Sequence, residues 1–373
     1  MPRNRKVAAP PASFGTSAAA RTVALAAVAV AVTFAVVSVA APTPAMAGNM
    51  DLTPERLAIC SGTTCVPNNA PWANLMGELG MVIAPTAFHA ARTTGLGGFA
   101  LSLETSFTHV NANASAGGVQ YWHAGTEGPK DPNTGQFSTV NENPDSLIGV
   151  YSLKARKGLA YGFELAGDLG YVANTSLWVG GADIRWALLE GYRTGVLGYF
   201  PDIAIGGGVR TIAGSPKFYL TTVGLDAQIS KPVSFDEGGV LTPYVGAQRV
   251  LIFADSSVVD LTPNVDPLNC GYLGANVPGN KSAPANLAPN QMPNDGTPIC
   301  KGDNSDFNND TTFNRARIQN WRGIIGLNYR YEVLYLATQF AWTLESPSNN
   351  ENRNIGVDGA QQWTLSFEAG VSF

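Results

Sequence analysis

From residue 95 onward the chain repeats one pattern: a run in which apolar and polar side chains alternate, then a turn rich in Gly, Pro, Asn or Asp. Alternation at period two marks a β-strand whose faces meet different surroundings, and it recurs too often for a helical protein. The last run displays it most fully. Trp363, Leu365, Phe367, Ala369, Val371 and Phe373 share one face, and Gln362, Thr364, Ser366, Glu368, Gly370 and Ser372 the other. Phe99, Leu101, Leu103 and Phe107 oppose Ala100, Ser102, Glu104, Ser106 and Thr108 in the same way. So do Tyr161, Phe163, Leu165, Leu169 and Tyr171 against Gly162, Glu164, Ala166, Asp168 and Gly170, and Trp321, Ile325, Leu327 and Tyr329 against Asn320, Arg322, Asn328 and Arg330. One such strand also suits a soluble sandwich; many, with charges inside them, favour a barrel with lipid outside and a polar lumen.

The pattern predicts strands at 95–110, 147–157, 160–172, 177–190, 200–212, 217–231, 240–253, 314–330, 332–345 and 361–373. The expected fold is therefore all-β: a closed antiparallel transmembrane β-barrel of about ten strands, an even number as bacterial barrels usually have. With a periplasmic carboxyl terminus, the connections 111–146, 173–176, 213–216, 254–313 and 346–360 become extracellular, and they include the three longest. Tyr161, Tyr171, Trp178, Trp186, Trp342, Trp363 and Phe373 fall near strand ends, where an aromatic girdle belongs. Residues 48–94 break the pattern with Pro54, Pro67, Pro71 and Pro85 and an amphipathic stretch at 72–91. They are expected to form an irregular periplasmic segment or lumen plug with a short helix; two strands within 75–91 would instead make the barrel twelve-stranded.

The amino terminus changes the compartment. Arg3, Arg5, Lys6 and Arg21 precede an uncharged apolar run at 22–41, followed by Ala45-Met46-Ala47. That order is a secretory signal peptide over 1–47, cleaved after Ala47, although a run of about 20 apolar residues would also serve as an uncleaved anchor. Cleavage removes four of the 23 basic residues and none of the 28 acidic ones, leaving 19 against 28. So acidic a chain is a poor nucleic-acid partner. No later run is apolar enough for a spanning helix, so crossing a membrane requires a barrel. Cys60, Cys65, Cys270 and Cys300 form an even set in an exported chain, which favours disulfides, 60 with 65 and 270 with 300. Their spacing is not that of a zinc site.

Residues 363–373, WTLSFEAGVSF, resemble the closing strand of the bacterial outer-membrane β-barrel (porin-like) family, with Trp363, Leu365, Phe367, Val371 and Phe373 at the alternating hydrophobic places of its assembly signal. The family's glycine is displaced, standing at Gly370 where the pattern has it at 368. The resemblance implies the outer membrane of a Gram-negative bacterium, with its lipid, lipopolysaccharide and assembly machinery as partners. It carries over no catalytic residue.

Glu104, Lys154, Arg156, Glu164, Asp168, Asp183, Arg185, Asp226, Arg322, Arg330 and Glu368 are expected to face the lumen. Such charges either set the selectivity of a polar path for small solutes or fill the interior as ion pairs. His89, His109 and His123 lack a G-x-S-x-G elbow or any other diagnostic partner, so no enzyme is expected. Asp306, Asn308 and Asp310 open like a calcium loop, but Thr311 stands where glycine belongs and Arg317 where glutamate does. Gly95, Gly97 and Gly98 open a strand where a phosphate loop would open a helix. Neither a metal nor a cofactor is expected. The leading expectation is a narrow channel or passive transporter; the alternative is a structural or adhesive barrel presenting the Pro- and Asn-rich loop 254–313. A rim-located hydrolase comes third.

Overall fold

The computed structural model describes residues 50–61, 64–87, 90–129, 140–191, 200–235, 239–261, 270–272, 298–300, 310–344, 356–357 and 361–373. The expected leader 1–47, His89, Asp306 and Asn308 lie outside them.

Ten strands form the barrel: β1 (Phe99–His109), β2 (Leu147–Gly158), β3 (Phe163–Val172), β4 (Trp178–Leu189), β5 (Asp202–Ala213), β6 (Phe218–Ser230), β7 (Gly239–Ser256), β8 (Ala316–Tyr331), β9 (Leu334–Thr343) and β10 (Trp363–Ser372). Each pairs antiparallel with its neighbours in sequence, and β10 pairs with β1 to close the ring. Closure leaves no unpaired edge for another chain to extend. At the seam the backbone N–H of Phe373 donates to the carbonyl of Phe99 at 2.8 Å, and that of Phe99 returns a bond at 3.0 Å.

Every strand exposes large apolar side chains on its outer face, among them Leu103, Leu153, Leu169, Ile184, Val209, Leu225, Val245, Ile325, Leu336 and Phe367. A continuous apolar belt of this extent would drive aggregation in water; in lipid it is the required surface. No helix among the described residues is long and apolar enough to cross a membrane. Among the described residues the crossing falls to the strands.

Strand ends differ from the sequence expectation at the short turns. Gly95 and Gly97 adopt left-handed φ of 83° and 80°, so the chain turns there and β1 begins at Phe99. Tyr161 also has positive φ, 61°, and sits in the β2–β3 turn with its ring almost wholly exposed.

The described residues of 75–91 form no pair of strands, so the twelve-strand alternative is corrected to ten. Asn69–Val82 is a helix, α1, and 12 of its 14 residues are buried. The expected amphipathic face is corrected as well: a helix enclosed on all sides has no use for a polar stripe. Trp72, Leu75, Met76 and Leu79 pack against Ile252, Ile318, Leu220, Val179 and neighbours in one apolar cluster. Each such burial contributes roughly 1.5–3 kcal/mol. Gly77 and Gly80 let α1 approach the wall closely: a Cβ on Gly80 would stand 2.5 Å from Ile252 Cγ2. Before α1, Ala58–Ser61 and Thr64–Pro67 form a hairpin whose register sets Cys60 opposite Cys65. In the β7–β8 connection, Cys270 stands opposite Cys300.

Candidate functional site: the filled lumen

Between α1 and β1 the described residues form no helix or strand, so most of their peptide groups need partners from outside the segment. The inner wall supplies them in order. Thr222 Oγ1 donates to the Gly80 carbonyl (3.2 Å), Gln248 Nε2 to that of Pro85 (3.1 Å), Gln228 Nε2 to that of Ala87 (2.7 Å) and Arg185 Nη1 to that of Ala90 (3.1 Å). Arg322 also donates to Pro85 O and, through Nε, to Gln248 Oε1. Further along, Ser230 Oγ accepts from Ala91 N (2.9 Å), Glu190 from Thr93 N (3.0 Å) and Glu164 from Thr94 N (2.7 Å). Residues 83–87 and 90–94 are thus strapped along the interior.

Around this strap lies a salt-bridge network. Arg210 joins Asp168 and Asp183, each at 2.8 Å. Lys154 reaches Glu104 at 3.1 Å and Asp183 at 3.7 Å, while Arg156 reaches Glu368 at 3.3 Å and Glu164 at 4.0 Å. Arg185 and Asp226 approach to 3.8 Å. Thr86 ties the strap into the network by donating to Glu104 (2.6 Å) and accepting from Lys154 (3.3 Å). Charges so buried persist only when paired and hydrogen-bonded, because each ion's desolvation is worth several kcal/mol.

Ten of the eleven charges expected in the lumen therefore meet inside it. The eleventh, Arg330, lines the wider mouth of the lumen at the short-turn end, exposed there, and its Nε donates to the Glu332 carbonyl at 3.0 Å. Sequence reasoning missed Arg210, although Val209 alternates outward beside it and places it inward. It also missed Glu78, which accepts from Tyr121 Oη (2.5 Å) and Trp122 Nε1 (2.7 Å) of the short helix α2 (Tyr121–Ala124) in the β1–β2 connection. Burial pushes the Glu78 carboxyl up to about 7, against those two bonds, which pull it down. The Tyr121 hydroxyl is raised by its own burial and then by the charge of Glu78.

Two voids of about 20 Å³ flank the strap, one lined by Pro85 and Thr86 and the other by Ile83, Ala84 and Thr86, each with room for about one water. A larger cavity of about 470 Å³, lined by Arg92, Thr94, Glu190, Asn328, Arg330 and Tyr335, opens at the short-turn end and stops against the strap. Among the described residues the strap fills the lumen at the level of Pro85 and Thr86. The chain is a plugged transmembrane β-barrel.

No protein-family model and no curated protein matches the chain. Solved structures similar to it include Ail, the attachment invasion locus protein of Yersinia pestis, with 10% identity, TM-score 0.23, and coverage of 74% of this chain and 99% of that one. The Neisserial surface protein A structure gives 11%, 0.24, 74% and 97%, and OprG of Pseudomonas aeruginosa 8%, 0.25, 76% and 99%. The last is described as an outer membrane protein. With TM-scores this low, nothing of what they do is carried to this chain.

The expected candidates for other chemistry are dispersed. His109 stacks on Trp363 at 5.5 Å between ring centroids, and His123 bonds Asn113 at 3.0 Å. Asp310 and Thr311 form a two-residue strand paired with Val259 and Asp260.

Proposed function

We propose that the protein is a non-conducting barrel of a Gram-negative outer membrane, which anchors and presents its long-loop face, and that the narrow channel is the second reading. The filling of the lumen at Pro85 and Thr86 carries this proposal, because among the described residues the strap there is accompanied by water-sized voids. The charges around it support the same reading: paired acids and bases give the interior little net field with which to select an ion. On this reading lipid and lipopolysaccharide surround the belt, the assembly machinery engages β10, and neither catalysis nor a cofactor is involved. The cavity of about 470 Å³ is what favours the channel, since a displaced strap would extend it through the barrel.

Planar-bilayer recording of the purified chain tests the choice. The closed reading expects no steady conductance from the full chain and a steady one after deletion of residues 70–90. Steady conductance from the full chain would overturn it.

A further inference from the structure

We infer that the chain is threaded through its own barrel from the outside inward, so that the residues leading into Met50 stand on the cell surface. The two ends of the barrel are told apart by their connections. Turns such as 159–162 and 332–333 lie at one end with Phe99 and Phe373, and the connections 110–146, 257–315 and 344–362 at the other. Bacterial barrels keep short turns in the periplasm and long loops outside.

Met50 belongs to the outside end. Its N–H donates to the carbonyl of Asn174, in the β3–β4 connection, at 3.0 Å. Thr53 N donates to Gly125 O at 2.8 Å, and Glu127 N to Asp51 O at 2.9 Å, both joining the β1–β2 connection. Glu55 pairs with Lys217, beside the β5–β6 turn, at 2.6 Å. Three connections of one face thus hold residues 50–55.

The opposite end of the segment is equally fixed. Gly97 N donates to Gly158 O at 3.3 Å and Gly158 N to Gly98 O at 2.9 Å, beside the β2–β3 turn. Between these anchors the descent is read off a single strand. On β6, Thr222 meets Gly80, Gln228 meets Ala87 and Ser230 meets Ala91. Eight residues of strand run roughly 26 Å at about 3.3 Å each, which at the usual tilt of about 40° is roughly 20 Å of height, most of the lipid-facing band of about 25 Å.

A periplasmic start for this segment would need a second passage of chain through the same lumen. Voids of about 20 Å³ beside Pro85 and Thr86 leave no room for one. Met50 is therefore a display site: a segment fused immediately before it is expected to face the medium.

The test is an epitope inserted between Gly48 and Asn49 of the full chain, read by antibody on intact and permeabilised cells. A second epitope between Glu332 and Val333 marks the periplasmic turn. The expected result is a signal at 48/49 as strong on intact cells as on permeabilised ones, with the 332/333 signal appearing only after permeabilisation. A 48/49 signal that also needs permeabilisation overturns the inference. Should the insertion prevent folding, seen as loss of the fast-migrating unboiled gel band, the native chain decides. Its amino-terminal amine should react with a membrane-impermeant reagent on intact cells, as mass analysis of that peptide would show; modification only after permeabilisation again overturns the inference. The inference rests on the membrane placement and on a lumen too full for a second passage of chain, not on a lumen sealed to ions, so the two readings fail separately. Conductance with an exposed epitope sinks only the closed barrel, and a hidden epitope without conductance sinks only the threading.

Discussion

Glu104 and Glu368 are register partners across the seam that joins β1 to β10. Two acids so placed would repel, and a cation answers each: Lys154 for Glu104 and Arg156 for Glu368. The second is held further by the Tyr335 ring, 4.9 Å beneath the Arg156 guanidinium. Lys154→Met is expected to destabilise the barrel by about 3–5 kcal/mol, the usual result of leaving a buried charge without its partner. Adding Glu104→Gln should restore part of that loss. The temperature at which the fast-migrating gel band disappears measures both; an unchanged Lys154→Met midpoint would contradict the assignment.

Gly80 offers a test of how tightly α1 is fitted. In a free helix, alanine is favoured over glycine by about 1 kcal/mol. Here the new Cβ would meet Ile252 at 2.5 Å, and overpacking typically costs about 1–3 kcal/mol. Gly80→Ala should therefore lower the midpoint in the native chain and raise it in an Ile252→Ala background. The same sign in both backgrounds would count against the close fit.

Acidity should act on the contact between α1 and α2. Glu78 is raised from 4.5 to about 7 in the folded chain, so the folded state holds a proton more tightly than the unfolded one. The stability linked to this group is fully present below pH 4.5 and is lost as pH rises through 7. Heat midpoints measured from pH 5 to pH 8 should fall, and Glu78→Gln should flatten that fall. Equal slopes in the two proteins would assign the pH dependence elsewhere.

Cys60 with Cys65 and Cys270 with Cys300 occupy opposed register positions in two small hairpins that belong to no barrel strand. Two intramolecular disulfides are expected, visible as an intact mass four hydrogens below that of the reduced chain. Because the barrel's hydrogen bonds do not pass through either hairpin, reduction should leave the heat midpoint in place. A chain carrying free thiols, or a barrel that opens on reduction, would show the pairing or its isolation to be wrong.

The strands were legible because one rule, period two, governs a wall between lipid and lumen. All ten appear within a few residues of their expected places. The lumen's content was harder to read, for an instructive reason. Alternation identifies the polar face only while the lumen is wet, yet Ile148, Val150, Ile212, Leu220, Val250, Ile252 and Ile318 turn inward in the outer half of the barrel. Val250 and Ile252 share a face with Gln248, an oily patch on a wall expected to be polar. That departure was the available sign of an apolar guest, and α1 is that guest. The strap's course left no such sign. Its bonds run through backbone carbonyls, which every sequence carries alike.

The seam between β1 and β10 sets an order of assembly. Thr108 bonds Thr364 across it, 256 residues away in sequence, so it forms the longest circuit in the sheet. Closing so long a loop is slow compared with zipping adjacent hairpins. Until it closes the wall is a curved sheet with two free margins, and α1 can be laid against β7 and β8 from the side. Afterwards the same helix would have to slide in lengthwise past the loops. The barrel is in this respect a vessel sealed around its contents, and an agent that delays the last strand would also lengthen the time available for loading the first helix.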